Sequence, residues 1–132
     1  MIYLDSSALL KLVRREDETE SLRTWLHRHP DEPAVTSELA RVEVLRAARR
    51  VGGQAVVQAR ALVDDLDLVP LDRGVQDLAC DVGVPWLRTL DALHLASALL
   101  LGEALTALVA YDERLLDAAR DAGLAVAAPG RL

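Results

Sequence analysis

Four acidic side chains stand where ordinary surface charges are not expected. Asp5 closes the short apolar run Ile2-Tyr3-Leu4 and is followed by Ser6 and Ser7. Asp112 closes LTALVAYD (105–112) in the same way and precedes the amphipathic stretch ERLLDAARDAG (113–123). Asp91 falls in the first turn of RTLDALHLASALLLG, a segment so apolar all round that its helix should be central. Glu43, within SELARVEVLRAARR, has Leu39 four residues before it and Ala47 four after, which places it on an apolar helix row. Taken singly, each has a structural explanation. Asp5 is a helix cap or a carboxylate at the carboxyl end of a strand. Asp91 gains about 0.3–1 kcal/mol from a helix dipole, and Glu43 can pair with Arg46 three residues on. Taken together they are harder to explain, because carboxylates crowded into one cleft repel and raise one another's pKa values. A bound divalent cation removes that conflict. An oxygen-only ligand set is the pattern for Mg²⁺ or Mn²⁺, and such a site polarises a phosphodiester and activates an attacking water.

Other chemistries fit less well. Gly52-Gly53 is not followed by the Lys-Ser or Lys-Thr of a phosphate-cradling loop. His27 and His29 are two residues apart and would not share a helix face to hold zinc. His94 lies three residues after Asp91 and three before Ser97, a narrow polar stripe, and is expected as a satisfied core histidine rather than a catalytic one. The single cysteine, Cys80 in DLACDVG, reads as a small core hydrophobe on a helix with no activating neighbours. A phosphatase with an aspartyl nucleophile wants a second Asp two residues after the first, where this chain has Ser7. A receiver domain wants a late lysine, and the only lysine is Lys11.

The elements that must position these acids alternate along the chain. Strands are expected at 2–5, 33–37, 66–71, 105–112 and 124–129. Helices are expected at 8–15, 18–29, 37–50, 54–65, from Asp72 to about Gly83, from a Thr89 cap to Leu101, and at 113–123. Strands separated by one or two helices require crossovers, hence a parallel sheet covered on both faces. The fold class is therefore α/β, a three-layer domain with four or five short parallel strands. Asp5 and Asp112, each ending a parallel strand, should converge on one edge.

The chain has 132 residues, 52% of them hydrophobic and 27% charged, which suits one globular domain spanning 1–132. No basic, then hydrophobic, leader opens it, and no apolar run approaches the roughly 20 residues of a membrane span. One cysteine excludes an internal disulfide; a cytoplasmic protein is expected. The net charge of −6 argues against a nonspecific nucleic-acid coat. Its distribution is uneven: residues 1–60 hold ten Lys+Arg against nine Asp+Glu, and residues 61–132 hold five against twelve. Arg41, Arg46, Arg49 and Arg50 on one helix, with Lys11, Arg14 and Arg15 on another, form either a basic rim beside the acids or two solvated faces.

MIYLDSSALLKL, SELARVEVLRA, RTLDALHLASAL and ALVAYDERLLDAARDAGL, in that order and across nearly the whole chain, resemble the PIN-domain ribonucleases, and among them the VapC toxins of toxin–antitoxin pairs. The resemblance implies a Mg²⁺- or Mn²⁺-dependent endoribonuclease of PIN-like fold. Its acidic catalytic set falls on Asp5, Glu43, Asp91 and Asp112, with Asp5, Asp91 and Asp112 on the metal. Ser7 falls where the family keeps a small hydroxyl or amide that supports the site. Arg46, Arg49 and Arg50 would grip the RNA substrate. The resemblance further implies a homodimer and a VapB-like antitoxin, whose apolar helix would pack near Leu9, Leu12 and Val13 while an arginine enters among Asp5, Asp91 and Asp112. One departure is Ala110, where relatives often have Thr. A PIN-like module that binds RNA or protein without cleaving is the alternative.

Overall fold

The computed structural model describes residues 1–131. Its strands are β1 (Ile2–Leu4), β2 (Ala34–Ser37), β3 (Asp67–Val69), β4 (Ala107–Val109) and β5 (Val126–Ala127). They form one parallel sheet in the order β3-β2-β1-β4-β5. The helices are α1 (Ser6–Val13), α2 (Thr19–His27), α3 (Glu38–Val51), α4 (Gln54–Asp64), α5 (Arg73–Asp81), α6 (Thr89–Leu99) and α7 (Glu113–Asp121). Every strand pair is parallel, so each return crosses over through helix, as the alternating pattern requires.

The pleat of β1 divides the core. Ile2 and Leu4 face a layer in which Ala8, Leu9, Val44, Ala59 and Val63 are buried, from α1, α3 and α4. Tyr3 faces the opposite layer, with Leu95 and Ala98 of α6 and Leu115, Leu116 and Ala119 of α7. Three layers result, with β1 central and buried on both faces.

The strands are shorter than the apolar runs that contain them. The run 105–112 pairs as β4 only over 107–109, because the Tyr111 amide turns to the Ser7 hydroxyl at 3.0 Å instead of a neighbouring strand. Ser37 accepts from Leu39 and Asp72 from Val75 as caps, and Asp5, favoured as a site residue over a cap, accepts from Ala8 and caps α1 as well. Thr89 is not a cap; Arg88 holds that position and makes no side-chain cap bond. Cys80 is also not a core residue, since its turn of α5 faces solvent and Val75 is the residue that helix buries. Among the described residues no helix is long and apolar enough to cross a membrane.

The strand order sets the useful edge. From β1 the chain runs to β2 and β3 on one side, then crosses back through α5 and α6 to β4 on the other. The switch point lies between β1 and β4, and the crevice beyond the carboxyl ends of two such strands is where open sheets place their sites. Leu4 pairs with Val109 there, and the Asp5 amide donates to the Val109 carbonyl at 3.1 Å.

Candidate active site

Asp5 follows β1 directly and is 4% exposed. Its Oδ1 accepts both the Ala8 amide at 2.9 Å and the Ser7 hydroxyl at 2.6 Å, and Ser7 in turn accepts the Tyr111 amide. Ser7 thus ties Asp5 to the segment leaving β4. Asp5 is therefore a cap as well as a buried carboxylate, so the cap reading and the site reading are not alternatives. Burial pushes its pKa up to about 6, against the pull of His94, Ser7 and Ala8, with Glu43 adding to the rise.

Glu43 reaches the same edge from α3. Its partners are not the helical neighbour Arg46 but Ser6, which donates to Oε1 at 2.5 Å, and His94 Nε2 at 2.9 Å. Burial pushes Glu43 up, yet the bonds from His94 and Ser6 and the pull of the His94 ring outweigh it and hold the carboxyl below its ordinary value. On its other side, His94 Nδ1 meets the Tyr3 hydroxyl at 2.7 Å. Burial, then the Asp5 charge, push Tyr3 far above its ordinary value, so the phenol keeps its proton and can donate to Nδ1. His94 is buried and satisfied at both nitrogens, as expected of a core histidine, and the group it satisfies is an acid of the candidate site.

Asp91 and Asp112 form the second half. Asp112 caps α7, its Oδ1 accepting the Arg114 amide at 2.8 Å and the Leu115 amide at 3.4 Å. Asp91, in the first turn of α6, is raised in pKa by burial and by Asp112, against Arg88 and His94, with Glu43 adding to the rise. Arg88 lies against both acids: its guanidinium is 4.0 Å from Asp91 Oδ2 and 3.9 Å from Asp112 Oδ2. The two halves act on each other through Glu43 and His94, which bear on both Asp5 and Asp91.

The donors at this edge are carboxylate oxygens, the chemistry that suits a hard divalent cation. The mutual repulsion of Asp91 and Asp112, answered by a guanidinium, is the conflict such a cation resolves. Among the described residues, however, no three metal-ligating side chains converge closely enough to enclose an ion. Arg46, Arg49 and Arg50 line one shallow groove along α3, and none forms an ion pair among the described residues. Lys11 does not join a basic rim: it is buried, 2.8 Å from Glu18, with its ammonium over the Tyr111 ring. Ala110 is fully buried among apolar neighbours of the α6–α7 layer.

Sequence reasoning missed Ser6, Tyr3 and Arg88. The first two partner residues distant in the chain, which no local pattern announces. Arg88 carried a signal, since it stands three residues before Asp91 on the same helix start.

A three-layer parallel α/β domain with acids gathered beyond the switch point of its sheet is the class defined here, and comparison with known proteins narrows it. The profile of the PIN domain matches residues 2–121. Ribonuclease VapC47 of Mycobacterium tuberculosis is 47% identical over 133 residues, covering 98% of both chains. Ribonuclease VapC46 of the same species is 49% identical over 129 residues, 97% of each. Among solved structures, FitAcB from Neisseria gonorrhoeae aligns over 100% of both chains with a TM-score of 0.75 at 19% identity. M. tuberculosis VapC20, described as a sarcin–ricin loop cleaving toxin, covers 94% of this chain and 96% of its own with a TM-score of 0.72 at 17% identity. These two share the fold. The chain belongs to the PIN-domain ribonucleases of the VapC toxin–antitoxin family.

Proposed function

We propose that this chain is a Mg²⁺-dependent endoribonuclease, the toxin of a toxin–antitoxin pair, which hydrolyses RNA phosphodiester bonds with Asp5, Glu43, Asp91 and Asp112. The observation that carries the reading is the placement of these carboxylates at the switch point of the sheet: Asp5 follows β1, Glu43 meets His94 of α6, and Asp91 and Asp112 face one guanidinium, that of Arg88. Asp5, Asp91 and Asp112 would hold Mg²⁺ or Mn²⁺, which supplies phosphodiester polarisation and an acidified water. Glu43, fixed by Ser6 and His94 and kept ionised, would orient that water. Ser7 holds Asp5, and Arg46, Arg49 and Arg50, which form no ion pair among the described residues, would be donors for RNA phosphates along α3.

A VapB-like antitoxin and a homodimer belong to the same reading. Leu9 does not offer the antitoxin a surface, because it lies in the core at 0% exposure. The groove between α1 and α3, lined by Leu10, Val13 and Val51 and by the charged Arg14, Glu16 and Arg50, is the surface we assign to its helix instead. A non-catalytic binding module is the second reading, favoured by the lack of a converged ligand trio among the described residues.

The test is cleavage of RNA with Mg²⁺ and with EDTA, by the native chain and by Asp91→Asn. Cleavage should need Mg²⁺ and should fall by more than about 100-fold in the variant, beyond the loss usual for a group that only supports a ligand. Metal-free stability of Asp91→Asn should hold or rise, since one repelling charge is gone. Undiminished cleavage by the variant refutes the assignment, and no cleavage by the native chain leaves the binding module.

A further inference from the structure

Arg88 is held unlike the buried cation of this protein. Lys11 is 7% exposed and sits 2.8 Å from Glu18 Oε2, a charge-assisted hydrogen bond. The Arg88 side chain is 63% exposed, and its contacts of 4.0 and 3.9 Å are about 1 Å longer than such a bond. It is attracted by two carboxylates without being locked to either. Nor does it have a structural duty at the helix start, where it makes no cap bond.

The backbone beneath it forms a turn. Gly83 (φ +71°) lies so close to Leu87 that a Cβ there would stand 2.8 Å from Leu87 Cδ2, and the Leu87 amide closes on the Val84 carbonyl at 2.9 Å. The segment is therefore a hydrogen-bonded turn closed on Leu87, from which the exposed Arg88 side chain projects. A guanidinium on such a mount can leave Asp91 and Asp112 by rotamer change alone. The acids it would leave repel each other, so they need a replacement charge.

We propose that Arg88 is an exchangeable internal cation: it neutralises Asp91 and Asp112 while they are free of divalent ion, and yields to that ion, which releases its guanidinium towards an RNA phosphate. This rests on the metal-site reading above. It also supplies from within the chain the arginine expected among these acids from an antitoxin.

The test is Mn²⁺ binding to the RNA-free full chain by calorimetry, for the native protein, Arg88→Gln, Arg114→Gln and Asp91→Asn. Removing two competing exposed ion pairs should tighten Mn²⁺ binding roughly three- to ten-fold in Arg88→Gln. Arg114→Gln removes an equal charge two residues from Asp112, from a side chain that makes no ion pair among the described residues, and should change binding far less. In parallel, the Arg88 Nε–H signal, identified by its loss in Arg88→Gln, should move on Mg²⁺ titration with the midpoint that calorimetry with Mg²⁺ gives. Equal tightening in both arginine variants, or a stationary signal, overturns the exchange. Binding lost in Asp91→Asn yet unaltered in Arg88→Gln overturns it while leaving the metal site standing. No Mn²⁺ binding by the native chain overturns both.

Discussion

At Asp5 the cap bond from Ala8 and the hydroxyl of Ser7 fall on the same oxygen, Oδ1, and Oδ2 takes no hydrogen bond among the described residues. One atom serves the fold while the other remains available to a cation. The cost of that arrangement is a buried carboxylate whose pKa is pushed up to about 6 from an ordinary value near 3.8. Its sign for stability follows from proton counting. Folding favours the protonated form, so between about pH 4 and pH 6 the folded chain binds more protons than the unfolded one, and stability falls as pH rises through that window. At about 1.4 kcal/mol per unit, Asp5 lowers metal-free stability above pH 6 by on the order of 3 kcal/mol. Asp5→Asn should restore that amount, because Asn caps a helix as well as Asp and its amide oxygen still accepts from Ala8 and Ser7. Urea denaturation in EDTA at pH 4.5 and pH 8 checks this: the variant should gain at pH 8 and little at pH 4.5. An equal gain at both values would mean that Asp5 does not titrate as a buried acid.

Among the elements, α7 poses the same division of labour at its start. Asp112 accepts two amides of its first turn through Oδ1, and its Oδ2 faces Arg88. Asp112→Ala should lose about 1 kcal/mol of stability and Asp112→Asn only a few tenths. Both should lose Mg²⁺-dependent cleavage alike, so activity that tracked stability across the pair would mark Asp112 as a cap alone. These local features were legible in the sequence. Asp5, Ser37 and Asp72 begin helices because a short acceptor beside an apolar-periodic run satisfies free amides, whatever the rest of the fold does. Parallel order was legible too, since helices between all strands leave few alternatives. Strand lengths were not, because a strand ends where its neighbour does: Tyr111 leaves β4 for Ser7, 104 residues away. The acids stood out as charges on apolar rows, but their partners did not. Helical spacing offers Glu43 a pairing with Arg46, whereas the fold gives it His94, 51 residues on.

Over the whole molecule the net charge is −6, so RNA approaches against the general field and any grip must be local. Arg46, Arg49 and Arg50 provide the strongest local exception. They share one groove on α3, the helix that brings Glu43 to the edge, and no carboxylate neutralises them among the described residues. Arg23 and Arg120 make a useful contrast, each 3.1 Å from an acid of its own helix, Glu20 and Asp117. Replacing either pair of arginines by Gln changes the net charge by the same two units. If the α3 groove holds RNA phosphates, Arg49→Gln with Arg50→Gln should weaken RNA binding across sequences. It should also flatten the plot of log affinity against log salt by about 0.7 per lost contact, or roughly 1.4 for two. Arg23→Gln with Arg120→Gln should shift affinity slightly and leave the slope as it was, because no bound counterion is released at those positions. Fluorescence anisotropy of a labelled single-stranded RNA at several salt concentrations, in EDTA to prevent cleavage, measures both. Equal slopes for the two double variants would make α3 a solvated face and move the RNA path elsewhere on the surface.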